Sequence, residues 1–373
     1  MNQDFLDKKL NERKEQNSLR QLRLPKEGMI DFCSNDYLGI ASRSGRSNRP
    51  DRFERSGSTG SRLLAGNYPL IEETEKFIAA FHQSEAALIF NSGYDANIGL
   101  LSSVPQRGDT VLYDYLSHAS IRDGIRLSFA ESFSYQHNDL DDLEIKLKKT
   151  KGNVFVVTES VFSMDGDMCP LKEMVMLCEK YNASLIIDEA HATGVIGEKG
   201  EGFVQMLGLQ DKVFARVHTF GKACGTHGAV VLGSKKLRDY LINFARSFVY
   251  STALPEQTIG HIKASYELFP GMLGERKHLK MLVDKFVASV SNAQYSMLNV
   301  QLSKSKTPIQ GLIIPGNEQV RRVAAQLQSD GLDVRPILYP TVPKGQERLR
   351  IVLHAFNTKQ ELDLLLNSLK NSL

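Results

Sequence analysis

No stretch of this 373-residue chain approaches the roughly 18 consecutive apolar residues that a bilayer-spanning helix needs, which argues against a membrane protein. Its opening, MNQDFLDKKLNERKEQ, is charged throughout and holds no apolar core of the secretory kind, so no export signal is expected. Cysteine is scarce: Cys33, Cys169, Cys178 and Cys224 are the four, and none forms a C-x-x-C pair. Zinc sites need closely spaced ligand pairs, so no metal is expected, and free thiols suit a reducing cytoplasm. Neither sign of charge is in excess. With 46 Lys and Arg against 43 Asp and Glu the net charge is +3, too balanced to argue for a nucleic-acid partner.

The common occupants of a nucleotide-binding sheet are missing as well. Asp188-Glu189-Ala190-His191 spells a helicase box, but the chain has no G-x-x-x-x-G-K-[ST] phosphate loop to accompany it. A G-x-G-x-x-G fingerprint is absent, which weakens a nicotinamide dehydrogenase. So are the H-E-x-x-H of zinc peptidases and the G-x-S-x-G of α/β hydrolases.

What is present is a globular α/β pattern. Apolar residues make up 42% and charged residues 24%, and a chain of this length buries roughly three-quarters of its unfolded surface. The first 25 residues read as a polar helix with scattered leucines (Leu6, Leu10, Leu19, Leu22), an arm on a larger body. From Leu70 to Ser234, short Val- and Ile-rich runs (AALIFNSG, TVLYD, VFVVTES, SLIIDEA, GAVVLGS) alternate with helical stretches such as LKEMVMLCEKYN, with Leu171, Met174, Val175 and Cys178 on one face. Nearly continuous apolar runs are what buried strands of a largely parallel sheet look like. The tail is a smaller α/β unit. Asn317 can cap a helix with a Val320, Val323, Ala324 and Leu327 stripe, stopped by Gly331. RLRIVLHA alternates, with Leu349, Ile351 and Leu353 opposite Arg348, Arg350, Val352 and His354, and Thr358 with Glu361 spells a capping box. The expected division is an arm over 1–45, a large domain over 46–255 and a small C-terminal domain over 256–373. Ser42 to Arg62 carries arginines at 43, 46, 49, 52, 55 and 62, either a solvated loop or a basic rim that meets an anionic substrate.

Three features point to chemistry. An apolar strand ends in Asp188, whose carboxylate should project at the carboxyl edge of the sheet, where open α/β folds bind ligands. His191 follows three residues later. Lys222 sits in HTFGKACG between Gly221 and Gly225, just after Thr219. A lysine among small residues suits the approach of a flat ring, and Lys with Asp is the pair that pyridoxal phosphate catalysis wants: a Schiff-base amine and a carboxylate that keeps the pyridine nitrogen protonated. Asn91 to Tyr94, NSGY, adds a turn into a helix whose backbone N–H groups make a phosphate site. Taken singly, each has a plain alternative, the aspartate as a helix cap and the lysine as a surface charge.

The order and spacing of SNDYLG, GSTGSRLLAGN, NSGYDAN, SHAS, TESVFSMDGD, IDEAHATG, TFGKA, FVYSTALP and RLRIVLHA resemble the α-oxoamine synthases, a branch of the fold-type I pyridoxal phosphate enzymes, over nearly the whole chain. The resemblance implies a PLP-dependent transferase with a large domain, its mainly parallel sheet lying between helices, and a smaller C-terminal α/β domain. It implies that Lys222 holds pyridoxal 5'-phosphate and moves protons at the substrate α-carbon, that Asp188 pairs with the ring nitrogen, and that His118 stacks on the ring. His191 and Ser163 would neighbour the phenolic oxygen, and Gly93, Tyr94 and Thr219 would bind the phosphate. Thr252 would reach the phosphate of a partner subunit in a homodimer with shared active sites. Arg350 would clamp the amino-acid carboxylate, with Asn35 lining that pocket. The implied substrates are an amino acid and an acyl-CoA: L-alanine with pimeloyl-CoA or its carrier-protein thioester, with glycine and acetyl-CoA as the alternative. A non-catalytic partner subunit keeping the fold is a further alternative, against which stands the retention of Lys222, Asp188 and Arg350 together. The chain departs from the family pattern at Ile71, where relatives carry a histidine, and in a shortened stretch between Gly39 and Gly57.

Overall fold

The computed structural model describes residues 3–22, 24, 26–42, 57–291 and 300–373. The arginines at 43, 46, 49, 52 and 55, and with them most of the shortened stretch, lie outside the described residues. Arg62 is described, and ion-pairs with the buried Glu75. The chain forms two units, a smaller one of Met1–Tyr37, Met164–Asp167 and Lys277–Leu373, and a larger one of Leu38–Ser163 and Met168–Arg276.

In the smaller unit, helix α1 (Asp4–Glu15) buries none of its residues. Asp4 and Asp7 at its start and Arg13 and Lys14 at its end complement the helix dipole. It stops well short of residue 25. Asn17 turns left-handed at φ 50°, and the Ser18 N–H closes back on the Arg13 carbonyl at 2.8 Å, the reversal that ends helices. Strand β1 (Ile30–Asp31) follows.

The larger unit holds a seven-stranded sheet made of β2 (Ala86–Phe90), β3 (Thr110–Asp114), β4 (Glu131–Tyr135), β5 (Val154–Glu159), β6 (Ala183–Asp188), β7 (Ala215–Thr219) and β8 (Ala229–Gly233). Their order is β2-β8-β7-β6-β5-β3-β4. β8 runs antiparallel to both neighbours and the remaining pairs are parallel, so β2 regains the common direction. The carboxyl ends of β2, β3, β5, β6 and β7 therefore share one edge. The five runs read as strands are strands. Two more carry no Val- and Ile-rich run, for opposite reasons: β4 (ESFSY) is a largely exposed edge, and β7 (ARVHT), the strand that leads to Lys222, is fully buried yet carries Arg216 and His218.

Helices α2 (Pro69–Phe81), α3 (Gly93–Ser103), α4 (Ala119–Arg126), α5 (Leu140–Leu147) and α6 (Leu171–Lys180) alternate with these strands. The period of two along each strand divides the core. Val111, Phe155, Val157 and Ile186 pack with Leu100 and Ile121 of α3 and α4, whereas Leu112, Val156, Leu185 and Ile187 pack with Leu143, Met174 and Val175 of α5 and α6. The α6 stripe Leu171, Met174, Val175 and Cys178 is the buried face.

The smaller unit continues with β9 (Gln301–Leu302), β10 (Ile309–Ile313), β11 (Leu332–Asp333), β12 (Arg335–Ile337) and β13 (Arg348–Val352). Its antiparallel sheet has the order β12-β13-β10-β9, and β1 pairs parallel with β11. The helix Asn317–Ser329 buries Val320, Val323, Ala324 and Leu327, but Asn317 is its first residue and not its cap. Gly316, at φ 96°, takes that position, and the Asn317 side chain instead donates to the Gln16 carbonyl at 2.7 Å and accepts from the Tyr339 N–H at 2.9 Å. The capping box of the last helix, Lys359–Ser372, is complete: Thr358 Oγ1 accepts from the Glu361 N–H at 3.1 Å, and Glu361 accepts from the Thr358 N–H at 2.7 Å. Thr358→Ala removes one of these acceptors and should lower stability by about 1 kcal/mol, read as the shift in urea unfolding against wild type.

Candidate active site

Strand β6 is buried over its last four residues, Leu185, Ile186, Ile187 and Asp188, and the Asp188 carboxylate lies at the shared carboxyl edge with 7% of the residue exposed. Nothing in that apolar setting would hold a charge, so donors must come from elsewhere. They do: Asn97 Nδ2 of α3 donates to Oδ2 at 2.8 Å, and the Ala190 N–H donates to Oδ1 at 2.9 Å. The parallel register of β5 and β6 sets Glu159 directly beside Asp188. Glu159 Oε1 accepts the His118 backbone N–H at 2.6 Å. Burial first, and then the Asp188 charge, push the Glu159 carboxyl up to about 8.

His118 caps the N-terminus of α4, its Nδ1 accepting the Ser120 N–H at 3.2 Å. Its outer edge is open to solvent, but the enclosure of its inner side holds its titration below the usual histidine range. Asp188 pulls the other way and Lys222 adds to the lowering. Lys222 lies in the turn after β7, half-buried, its carbonyl accepting from the Gly225 N–H at 2.8 Å. That turn requires glycine: at φ 63° a Cβ on Gly225 would stand 2.4 Å from the Ala41 nitrogen. The Lys222 and Asp188 charges both act on His118 and on Glu159, so four segments of the larger unit converge on one cluster. His191 is buried in the turn after β6, and Ser163 is half-buried in the turn after β5.

A second feature of the candidate site, a cradle of backbone N–H groups, is built where β2 leads into α3. Ser92 caps the helix, its Oγ accepting the Asp95 N–H at 3.0 Å, which leaves the Gly93 and Tyr94 N–H groups at the first two positions without helical partners. A Cβ on Gly93 would sit 2.5 Å from Thr219 Cγ2, so β7 and the helix N-terminus meet here only because residue 93 is glycine. Thr219 Oγ1 is buried with no hydrogen-bond partner among the described residues. A cradle of N–H groups beside a buried, unpaired hydroxyl suits a dianionic phosphate, and the Asp188 carboxylate suits a protonated ring nitrogen. The residues fit pyridoxal 5'-phosphate.

Arg350 and Asn35 belong to the smaller unit, where they meet: Arg350 donates to Asn35 Oδ1 at 2.9 Å, and the Tyr37 hydroxyl reaches the same oxygen at 3.3 Å. Tyr37 is fully buried, and burial pushes its hydroxyl up to about 12 against the opposing pull of Arg350. The face of β13 that carries Arg350 is not a solvent face, because Val352 and His354 on it are buried as fully as Leu349 and Ile351. Arg348, also buried, is committed to an ion pair with Asp165 and donates to the Gln346 carbonyl. Tyr94 is exposed and bonds Asp123 through its hydroxyl. Thr252 is exposed, its carbonyl held by Asn91 Nδ2 at 2.8 Å. Ile71 is buried within α2.

Three residues of this cluster lie inside the matching stretches TESVFSMDGD, NSGYDAN and SHAS, yet no role attaches to them from the sequence. Glu159 ends one apolar strand just as Asp188 ends the next, a pattern visible in VFVVTE and SLIID once the two are known to be neighbours. Asn97 lies one turn beyond NSGY, and Ser120 is the last residue of SHAS.

The chain matches the aminotransferase class I and II family over residues 27–369. It is 42% identical to an 8-amino-7-oxononanoate synthase of Emericella nidulans, covering 98% of this chain and 94% of that protein. It is 40% identical to an 8-amino-7-oxononanoate synthase of Lysinibacillus sphaericus, covering 91% and 87%. Among solved structures it resembles a serine palmitoyltransferase of Sphingomonas wittichii (29% identity, TM-score 0.86, covering 92% of this chain and 87% of that one). An 8-amino-7-oxononanoate synthase of Francisella tularensis is similar too (28%, 0.79, covering 93% and 98%). The chain belongs to the aminotransferase class I and II family and, within it, to the α-oxoamine synthases.

Glu159 allows a test of the cluster's electrostatics. Its carboxyl keeps a proton in the folded chain up to about pH 8, whereas an unfolded glutamate ionises around 4.5. Between those values the folded state binds the extra proton, so this contribution is complete below the unfolded value and is lost as pH rises through the folded one, on the order of 1 kcal/mol per pH unit. Glu159→Gln should therefore gain stability relative to wild type as pH rises from about 5 to about 8, measured by urea unfolding of the cofactor-free proteins.

Proposed function

We propose that the protein condenses L-alanine with pimeloyl-CoA, or the corresponding carrier-protein thioester, to give 8-amino-7-oxononanoate, a precursor of biotin. The observation that carries this reading is the convergence of Asp188, His118 and Lys222 beside the Gly93–Thr219 cradle, in a chain about 40% identical to proteins of that name. Glycine with acetyl-CoA has no comparable support among these relatives. When bound, pyridoxal 5'-phosphate supplies an electron sink for negative charge developing at the amino-acid α-carbon. Gly93 and Tyr94 through their N–H groups, and Thr219 through its hydroxyl, hold the phosphate. Asp188 would keep the ring nitrogen protonated. His118 would cover one face of the ring, and His191 and Ser163 would neighbour its phenolic oxygen. Lys222 would anchor the cofactor and take the proton from the α-carbon. Arg350, steadied by Asn35, binds the amino-acid carboxylate with a planar two-donor grip. A carbon–carbon bond would then form between the α-carbon and the thioester carbonyl as the C–S bond breaks and CoA leaves as the thiol, and loss of the carboxylate as carbon dioxide would leave an electron pair at the α-carbon to which Lys222 returns a proton. We further infer a homodimer, with the exposed Thr252 reaching the partner's phosphate site. A cytoplasmic setting is part of the same reading, in keeping with four cysteines that form no disulfide.

The direct test incubates the PLP-loaded protein with L-alanine and pimeloyl-CoA and follows CoA release and product mass. Release from glycine and acetyl-CoA alone, or from no pair in a panel of amino acids and thioesters, would overturn the assignment. Borohydride reduction of the loaded protein followed by peptide mapping should tag Lys222 and no other lysine, and Lys222→Ala should lose both tag and turnover while remaining folded. Arg350→Ala should weaken L-alanine binding by roughly 2–5 kcal/mol without changing cofactor absorbance. Unaltered affinity for alanine would make Arg350 a purely structural ion partner.

A further inference from the structure

Two buried side chains join Asp188 to His118 and have no part in the chemistry above. Asn97 of α3 is 2% exposed and Ser120 of α4 is 1% exposed. Asn97 Nδ2 donates to Asp188 Oδ2 at 2.8 Å and to Ser120 Oγ at 3.0 Å. Ser120 Oγ lies 2.8 Å from His118 Nδ1, and the Ser120 backbone N–H approaches the same nitrogen at 3.2 Å. Donor and acceptor chemistry gives each of these bonds a direction. A carboxylate only accepts, so the Asn97 amide must turn its NH2 group toward Asp188. That group only donates, so Ser120 Oγ accepts from it and has its own proton left to give. A backbone N–H also only donates, so His118 Nδ1 is the acceptor for both Ser120 groups and carries a lone pair. In the neutral ring the proton then sits on Nε2.

We propose that Asn97 and Ser120 are positioning residues that lock His118 as a neutral ring with its proton on Nε2, through hydrogen bonds that diverge from the Asn97 amide, one to Asp188 and the other to Ser120 Oγ, which donates onward to Nδ1. What the ring faces rests on the function proposed above; the tautomer does not. A neutral imidazole can lie against a protonated pyridine ring without like-charge repulsion, and the same amide that orients Asp188 orients the ring opposite it. The charged groups around His118 do not settle its state by themselves. Asp188 and Asp123 favour a charged ring, Lys222 opposes it, and Glu159 touches only the His118 backbone N–H. Nδ1 is where the second proton would go, and two donors already occupy it.

The test is nitrogen NMR of the cofactor-free protein carrying 15N-histidine, with His118 assigned by the signal lost in His118→Gln. The expected spectrum shows a protonated Nε2 and a bare Nδ1. Ser120→Ala removes the hydroxyl donor and should raise the midpoint of ring protonation by about one pH unit. Asn97→Ala should move it the same way, and Ser120→Thr, which keeps the hydroxyl, should restore it. A wild-type proton on Nδ1, or an unmoved midpoint in folded Ser120→Ala, overturns the proposal. If the variants do not fold, the wild-type tautomer decides alone. Because this measurement needs no cofactor, failure to bind PLP would sink the functional reading and leave the tautomer result standing.

Discussion

The larger unit depends on one awkward requirement: a carboxylate must be held at the end of a strand that is otherwise apolar and buried. Asp188 meets it by drawing two N–H donors, Asn97 and Ala190, into the carboxyl edge of the sheet. Much else follows. Asn97 fixes how α3 faces β6, and α3 begins at the cradle formed by Gly93 and Thr219. Ser120 and His118 tie the start of α4 to the same amide. A substitution that loosened Asp188 would disturb both ends of the site at once.

The strand that delivers Thr219 to the cradle is itself anchored by polar groups with no access to water. On its far face, Arg216 donates to the His82 carbonyl at 2.7 Å, and His218 Nδ1 meets Thr193 Oγ1 at 2.9 Å. His82 Nε2 lies 3.1 Å from the Tyr266 hydroxyl, and the His82 and His218 rings are 4.0 Å apart. Burial holds both histidines well below their ordinary range, so they are neutral. Glu189, next to Asp188, is pushed up to about 7 by burial and accepts the Phe203 N–H at 2.8 Å. The two paired atoms, Arg216 Nη2 and His218 Nδ1, hold the strand to one register, because a slip would cost both of these buried hydrogen bonds.

In the smaller unit the analogous device is the support behind Arg350. The segment from Phe32 to Tyr37 follows the end of β13: the Val352 N–H donates to the Phe32 carbonyl at 2.9 Å and the Ala355 N–H to the Tyr37 carbonyl at 2.8 Å. His354 closes on Ser34 with its Nε2 3.1 Å from Oγ. Asn35 is thereby fixed in front of a guanidinium whose neighbour, Arg348, already has an ion-pair partner. The guanidinium is thus ordered by its contact with Asn35, which would spare any carboxylate it meets the cost of ordering it.

Composition, periodicity and punctuation determined a good deal. Continuous Val and Ile runs marked five of the seven large-sheet strands because both faces of those strands are buried. The Leu171–Cys178 stripe and the Thr358–Glu361 box were legible because helix faces and caps are set within a few residues. Lys222, Asp188 and the NSGY turn were legible as chemistry because each breaks the local pattern. The ARVHT run was not legible as a Val- and Ile-rich strand, since Arg216 and His218 look like surface residues until His82 and Thr193, from distant segments, pair with one polar atom of each. Nor was the cap of the Asn317–Ser329 helix, because Gly316 takes the turn and contacts to Gln16 and Tyr339 claim the asparagine side chain. Local signals report on groups a few bonds apart. The direction of a hydrogen bond from Asn97 to Ser120, or the proton kept by Glu159 beside Asp188, depends on strand order and helix placement, and only the tertiary structure decided them.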